Sequence, residues 1–226
     1  MEILKTVEAI KEIYRQIEEK TDAFKKATGI DCVYGCGECC NRFEPYSSVL
    51  EMLVIAEHLK QNPEELELFW KAPRDKEKNL CAFYKPDSPY HCGIYKIRPL
   101  ICRLYSFSGK AIPEEKMTYI SCPQIKTYYG IKVSKAIELI ENGFPIATYK
   151  EEYPKICKLD LILATDFHPI TRSLEIALEN MVDIENGIYQ RKKEESDLSS
   201  MIAVPFGDLI RNSIKSKLEK TAFVTI

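Results

Sequence analysis

Eight cysteines, Cys32, Cys36, Cys39, Cys40, Cys81, Cys92, Cys102 and Cys122, fall in one stretch of a 226-residue chain that holds nine. Four of them lie within nine residues, with Gly35 and Gly37 between them, and glycine lets a backbone curl until several sulfurs face one point. Cys81 stands alone in Leu80-Cys81-Ala82-Phe83-Tyr84, and Cys92 and Cys102 bracket Gly93-Ile94-Tyr95-Lys96-Ile97-Arg98-Pro99-Leu100-Ile101. Zinc and iron–sulfur clusters both bind thiolate and favour about four protein sulfurs per site. Eight is twice four. Neighbouring side chains diverge, so Cys39 and Cys40 suit different centres better than one. The pattern supports two four-thiolate sites, one site with a reactive remainder, or one polynuclear centre sharing thiolates.

Disulfides are the competing use of cysteine. The count is odd, and charges interrupt the first twenty residues every few positions, so no apolar leader segment is visible there. No stretch approaches the roughly 18 apolar residues of a membrane-spanning helix. These features predict a cytoplasmic protein with reduced thiols, where clustered cysteines mean metal or redox chemistry. The formal net charge of −2 gives no pull toward nucleic acid or membrane, and neither is expected as a partner; a protein partner or substrate stays open. No phosphate-binding glycine loop, serine elbow or His-Glu zinc protease motif occurs.

Four thiolates on zinc or on an oxidised four-iron cluster leave a net charge of about −2 that is costly to bury unpaired. Lys96, Arg98 and Arg103 lie among the candidate ligands and could offset it; the plainer reading makes them surface cations. Tyr95, with Tyr84, Tyr90, Tyr105, Tyr119, Tyr128 and Tyr129, surrounds the cysteines and either keeps water from a metal or packs the rim. Cys157 reads as a small buried residue. His91 beside Cys92 is a weaker ligand candidate, and His58 and His168 are weaker still.

The amino-terminal cysteine knot, Cys81-Ala82-Phe83, the run from Cys92-Gly93-Ile94-Tyr95 through Arg98-Pro99 to Cys102-Arg103, and Cys122 together resemble the YkgJ family of cysteine-cluster proteins. That resemblance covers roughly residues 30 to 125 and implies a zinc- or iron-chelating, or iron–sulfur, domain. The first gap departs from the family pattern: three residues, not two, separate Cys32 from Cys36. The family includes flagellin lysine methylases associated with a four-iron cluster and S-adenosylmethionine, so a protein methyltransferase using such a cluster is one implied activity. Cys32, Cys36 and Cys39 also have radical S-adenosylmethionine spacing, but Glu38 replaces the usual aromatic and the alternating strand–helix units of a partial barrel are missing. The isolated Cys81, Cys92, Cys102 and Cys122 fit the paired ligands of zinc sites poorly. The expected cofactor is therefore an iron–sulfur cluster of the 4Fe–4S kind, one or two per chain, with a zinc-stabilised interaction module as the alternative.

The surrounding elements read as helices. Ile3, Val7, Ile10, Tyr14, Ile17, Thr21 and Phe24 step by fours and threes along one face, and Gly29 suits the helix end. Ser47 or Ser48 can cap a helix carrying Val49 to Leu59. Asn62-Pro63 opens another, with Leu66, Phe69 and Trp70 expected inward. Val133 to Asn142 should be helical. From Pro169, Ile170, Leu174, Ala177, Met181, Ile184 and Ile188 predict a long helix packing with the first one as a wall. Phe206 to Leu218 reads as a last helix and Lys192 to Ser200 as a mobile loop. The expected fold is mainly α: a helix over 1–29, an irregular metal-nucleated cysteine core over 30–125, and a helical region over 126–226 packed on it.

Overall fold

The first apolar stripe becomes one long helix, α1 (Ile3–Thr28), in the computed structural model, which describes residues 2–42, 44–72, 80–111 and 116–190. Its buried residues are the seven the spacing selects, and Gly29 ends it at φ 64° with its N–H on the Lys25 carbonyl. Two short elements follow, α2 (Glu38–Arg42) and β1 (Tyr46–Ser48). Ser48 then caps α3 (Val49–Gln61), its side chain accepting from the Glu51 N–H at 3.3 Å. Pro63 starts α4 (Pro63–Lys71). Here Phe69 is buried and stacks on Phe83, but Trp70 is 47% exposed, contrary to its expected inward position. With Phe69 taking the inner face, the next position along the helix is turned about 100° away from it.

Beyond the cysteine loops come α5 (Leu100–Leu104), β2 (Gly109–Ala111), β3 (Met117–Tyr119), α6 (Pro123–Tyr129), α7 (Ile131–Glu141), α8 (Tyr149–Cys157) and α9 (Leu161–Ala164). The chain finishes its described part with β4 (Phe167–Pro169), α10 (Ile170–Glu179) and α11 (Met181–Glu185). The single long helix expected from Pro169 is thus two. Asn180 breaks it at φ −110° and ψ 16°, with its side-chain amide donating to the Ile176 carbonyl at 2.8 Å, a local bond of the kind that competes with helix continuation. Leu174, Ala177, Met181 and Ile184 keep the predicted stripe; Ile188 lies past its end, 62% exposed.

The centre of the main core is α3. Val49, Leu50, Met52, Leu53, Val54, Ile55, Ala56 and Leu59 are all buried, so the helix has almost no wet face. Helices α1 and α10 both lie against it, so their stripes meet through α3. A three-residue antiparallel pairing of β1 with β4, Ser47 opposite His168, joins the segment after the cysteine knot to the start of α10. A second, smaller core contains Phe24, Ile30, Phe107, Tyr119, Ile125 and Val133, beside the β2–β3 hairpin. The described residues up to Tyr189 gather into one compact unit. The predicted helix at Phe206 to Leu218 and loop at Lys192 to Ser200 lie outside the described residues. No helix among the described residues is long and apolar enough to cross a membrane.

Candidate metal centre

The cysteine loops are tied together by backbone hydrogen bonds before any sulfur is considered. Gly35 (φ 68°) and Gly37 (φ 57°) take left-handed conformations around Cys36. The Gly35 N–H donates to Pro89 O at 2.8 Å, and Cys81 N–H to Cys40 O at 3.1 Å, so the knot is bound to both later loops. Tyr84 and Cys92 form a bridge, and the Gly93 N–H donates to Phe83 O at 2.9 Å. Cys102 rides on α5. Cys122 donates its N–H to Ser106 Oγ at 2.9 Å, and its Sγ caps α6 by accepting from the Ile125 N–H at 3.4 Å.

Gly37 also admits a neighbour. A Cβ added there would sit 2.4 Å from His91 Cβ and 2.6 Å from its Nδ1, on a backbone that side chains rarely adopt. Gly37→Ala should therefore destabilise the protein by roughly 1–3 kcal/mol, read as a lower melting temperature of the metal-free chain. An unchanged melt would show that this turn relaxes freely.

None of the nine cysteines is in a disulfide. Their sulfurs fall into two sets of neighbours. Cys40 interacts with the thiols of Cys81 and Cys92, and Cys102 lies in the field of Cys81 and Cys92. Cys32 lies in the field of Cys39, Cys36 and Cys122, and Cys36 in that of Cys122 and Cys39. Cys39 adjoins both sets: it acts on Cys40, Cys92 and Cys102 as well as on Cys32 and Cys36, and its Sγ is 3.9 Å from Cys40 Sγ. Among the described residues, no three His, Cys, Asp or Glu side chains are already closed around a point as ligands of one ion.

Burial governs the protonation of these thiols. It pushes Cys32 up to about 11, raises Cys36, and holds Cys102 well above the usual thiol range. Cys40 keeps its proton, chiefly because it donates toward Cys39, and toward Cys92 as well. Cys39 is lowered to about 7 by that donation, and Cys92 is lowered by the same neighbour. Cys157 lies apart on α8, packed against the main core, with burial pushing its thiol up to about 11.

Arg98 and Arg103 do different things. The Arg98 guanidinium lies 3.9 Å over the Tyr95 ring, and Tyr95 stacks on Tyr90 at 4.1 Å. Its charge acts on Cys32 and Cys39 and on Cys92 and Cys102, members of both sets. Its Nε is buried with no hydrogen-bond partner. Arg103, 4% exposed, donates instead to the carbonyls of Arg98 and Lys96, each at 2.7 Å, and pairs with Glu18 of α1. It clamps the backbone of the Cys92–Cys102 loop. Lys96 is exposed. His91 Nδ1 is buried without a partner, whereas His58 pairs with Glu65 and His168 with Asp166, both at 2.9 Å.

One functional residue, Glu51, belongs to no motif. It is 2% exposed in the middle of α3, and its Oε1 accepts from Tyr14 Oη and from the Leu100 N–H, both at 2.7 Å. Ser47 and Ser48 hydroxyls donate to Oε2 at 3.2 and 3.3 Å. Since Leu100 is the first residue of α5, this carboxyl fixes the start of the helix that carries Cys102. Its signal in the sequence is one acid inside the run Val49-Leu50-Glu51-Met52-Leu53-Val54-Ile55-Ala56.

The candidate donors are all sulfur, and Arg98 beside them has a buried nitrogen without a partner, which fits a thiolate-bound metal, zinc or iron–sulfur. A family model described as CxxCxxCC, a putative zinc- or iron-chelating domain, matches residues 31–126. No curated protein and no solved structure matches the chain.

Proposed function

From the match of residues 31–126 to the model of a zinc- or iron-chelating domain, we propose that the eight thiols serve two centres and that the metal is iron, held as iron–sulfur clusters. Cys40, Cys81, Cys92 and Cys102 supply one centre; Cys32, Cys36, Cys39 and Cys122 supply the other. The observation that supports this is the grouping of sulfur neighbours: Cys40 and Cys102 lie with Cys81 and Cys92, Cys32 and Cys36 lie with Cys122, and Cys39, which adjoins both groups, completes four thiols in the second. Iron is favoured over zinc because Cys81, Cys92, Cys102 and Cys122 each stand singly, without the close second cysteine typical of zinc sites. A bound cluster supplies one-electron chemistry at a potential set by burial, charge and hydrogen bonds. The chain's own contribution is to place Arg98 where it offsets the thiolate charge of both sets, to shield them with Tyr90 and Tyr95, and to bury the sulfurs against the core.

Metal and sulfide analysis of anaerobically purified protein tests this. Iron and acid-labile sulfide in near-equal amounts are expected; a colourless protein holding zinc alone overturns the iron assignment. Melting the same preparation with and without S-adenosylmethionine separates a cluster enzyme using that cofactor, which should be stabilised, from a protein that only holds metal.

Loading should also depend on pH. Two thiols in each set, Cys32 with Cys36 and Cys40 with Cys102, are pushed up and must release protons on binding. Metal affinity should accordingly rise with pH, by at least about two decades per unit between pH 6 and 8 at each centre, in competition with a chelator. A flat profile would mean that these thiols are not ligands.

A further inference from the structure

We propose that the two sets differ in permanence: the Cys40 set is a closed structural centre, and the Cys32 set is an open one at which Cys36 yields its place to an incoming thiol. This rests on the two-centre reading above and adds which centre exchanges, and through which ligand.

The difference lies in what each sulfur is packed against. Cys40 and Cys81 are 8% and 4% exposed and belong to the main core, with Cys92 and Cys102 packed on it. Each comes from a braced segment. Cys81 and Cys40 share a backbone hydrogen bond, α5 starts on Glu51, and Arg103 clamps the intervening loop to Glu18. Releasing any of these four means opening the main core. The other set has no common support. Cys39 packs on the main core, while Cys32 and Cys122 pack on the second one. Their centre therefore lies on the seam between two cores.

Cys36 packs on neither. It is the one cysteine of the nine outside both hydrophobic clusters. It sits between two left-handed glycines, next to an exposed Gly35 and a Tyr34 that is 78% exposed. Its N–H bond to Val33 O, at 3.1 Å, is local to the turn. On the inner side of that turn, His91 presents a buried Nδ1 without a partner against Gly37. A donor arriving beside Cys36 would thus meet solvent on one side and an unused polar atom on the other. In the exchange, the bond from metal to Cys36 sulfur breaks, a bond from metal to the incoming sulfur forms, and the proton of the incoming thiol passes to Cys36. No electrons are transferred.

The test follows metal release from the loaded full-length protein into excess bathophenanthroline or EDTA, with and without 2-mercaptoethanol. Two phases of equal size are expected, the fast one at least about tenfold faster, as local opening is easier than core opening. Only the fast phase should accelerate with thiol concentration. Cys36→Ser should lose the fast phase or speed it further, keep the slow phase unchanged, and retain half the metal or more. A single phase from a chain shown to hold two centres overturns this inference and leaves the two-centre reading intact. So does a Cys36→Ser protein that holds no metal. A chain that holds only one centre instead fails the earlier reading, before lability is measured.

Discussion

Replacing Cys81 by serine is expected to remove at least half of the bound metal and to lower the melting temperature severely. Cys81 is alone in its loop and buried, so no neighbouring thiol can take its place. Apparent binding free energies of structural thiolate sites are on the order of 10 kcal/mol or more, which matches or exceeds the whole stability of a typical domain. Between the loop and the knot there would remain the backbone bonds from Cys81 N–H to Cys40 O and from Gly35 N–H to Pro89 O, each worth about 1 kcal/mol. The control is Cys157→Ser, on α8 outside both sets. It should keep all the metal and cost about 1–3 kcal/mol for a hydroxyl placed against the core. Metal content and thermal melts of the two variants decide the matter. Full metal in the Cys81 variant, or equal loss in both, would remove Cys81 from the ligand set.

The second large effect belongs to Glu51, where two substitutions should behave oppositely. Glu51→Ala strands the Leu100 N–H and the Tyr14 hydroxyl, both buried, and should cost about 2–5 kcal/mol while loosening α5 and the hold on metal at Cys102. Glu51→Gln keeps an oxygen for both donors and removes a desolvated charge. Burial raises the Glu51 carboxyl above its ordinary range. A folded-state pKa above the unfolded one gives stability that is complete below the unfolded value and is lost as pH rises through the folded one. Native protein should therefore lose ground to the glutamine variant as pH climbs from below about 4, with the gap levelling off once Glu51 has ionised. Denaturant melts of both proteins across that range measure the difference. A gap that widens toward acid would refute the assignment.

Much of the scaffold was legible because it depends on local periodicity. The seven-residue stripe of α1, the Ser48 cap, the Gly29 terminus and the Pro63 start are written within a few residues of where they act. What could not be read depends on partners distant in sequence. Helices α2 and α5, five residues each, and the three-residue pairing of β1 with β4 are too short to form by propensity. Trp70 was placed by a pattern that Phe69 alone satisfies, and the break at Asn180 came from one side-chain amide. Within the site, residue type singled out the cysteines. Spacing could not say which distant thiols lie together. Nor could it separate Arg98 from Arg103: both are arginines beside candidate ligands, yet only the fold gives one to the sulfurs and the other to the carbonyls of Lys96 and Arg98.

The dryness of α3 bears on how accurately a loop-borne ligand can be held. A helix with one wet face can roll toward water by some degrees at little cost; a helix enclosed on every side has no such freedom. Glu51 projects from the enclosed first half of α3 to the first residue of α5, so the tolerance on Cys102 is inherited from core packing and not from the irregular loop that precedes α5. The molecule thus has a fixed datum at its middle, and the position of at least one sulfur is referenced to it.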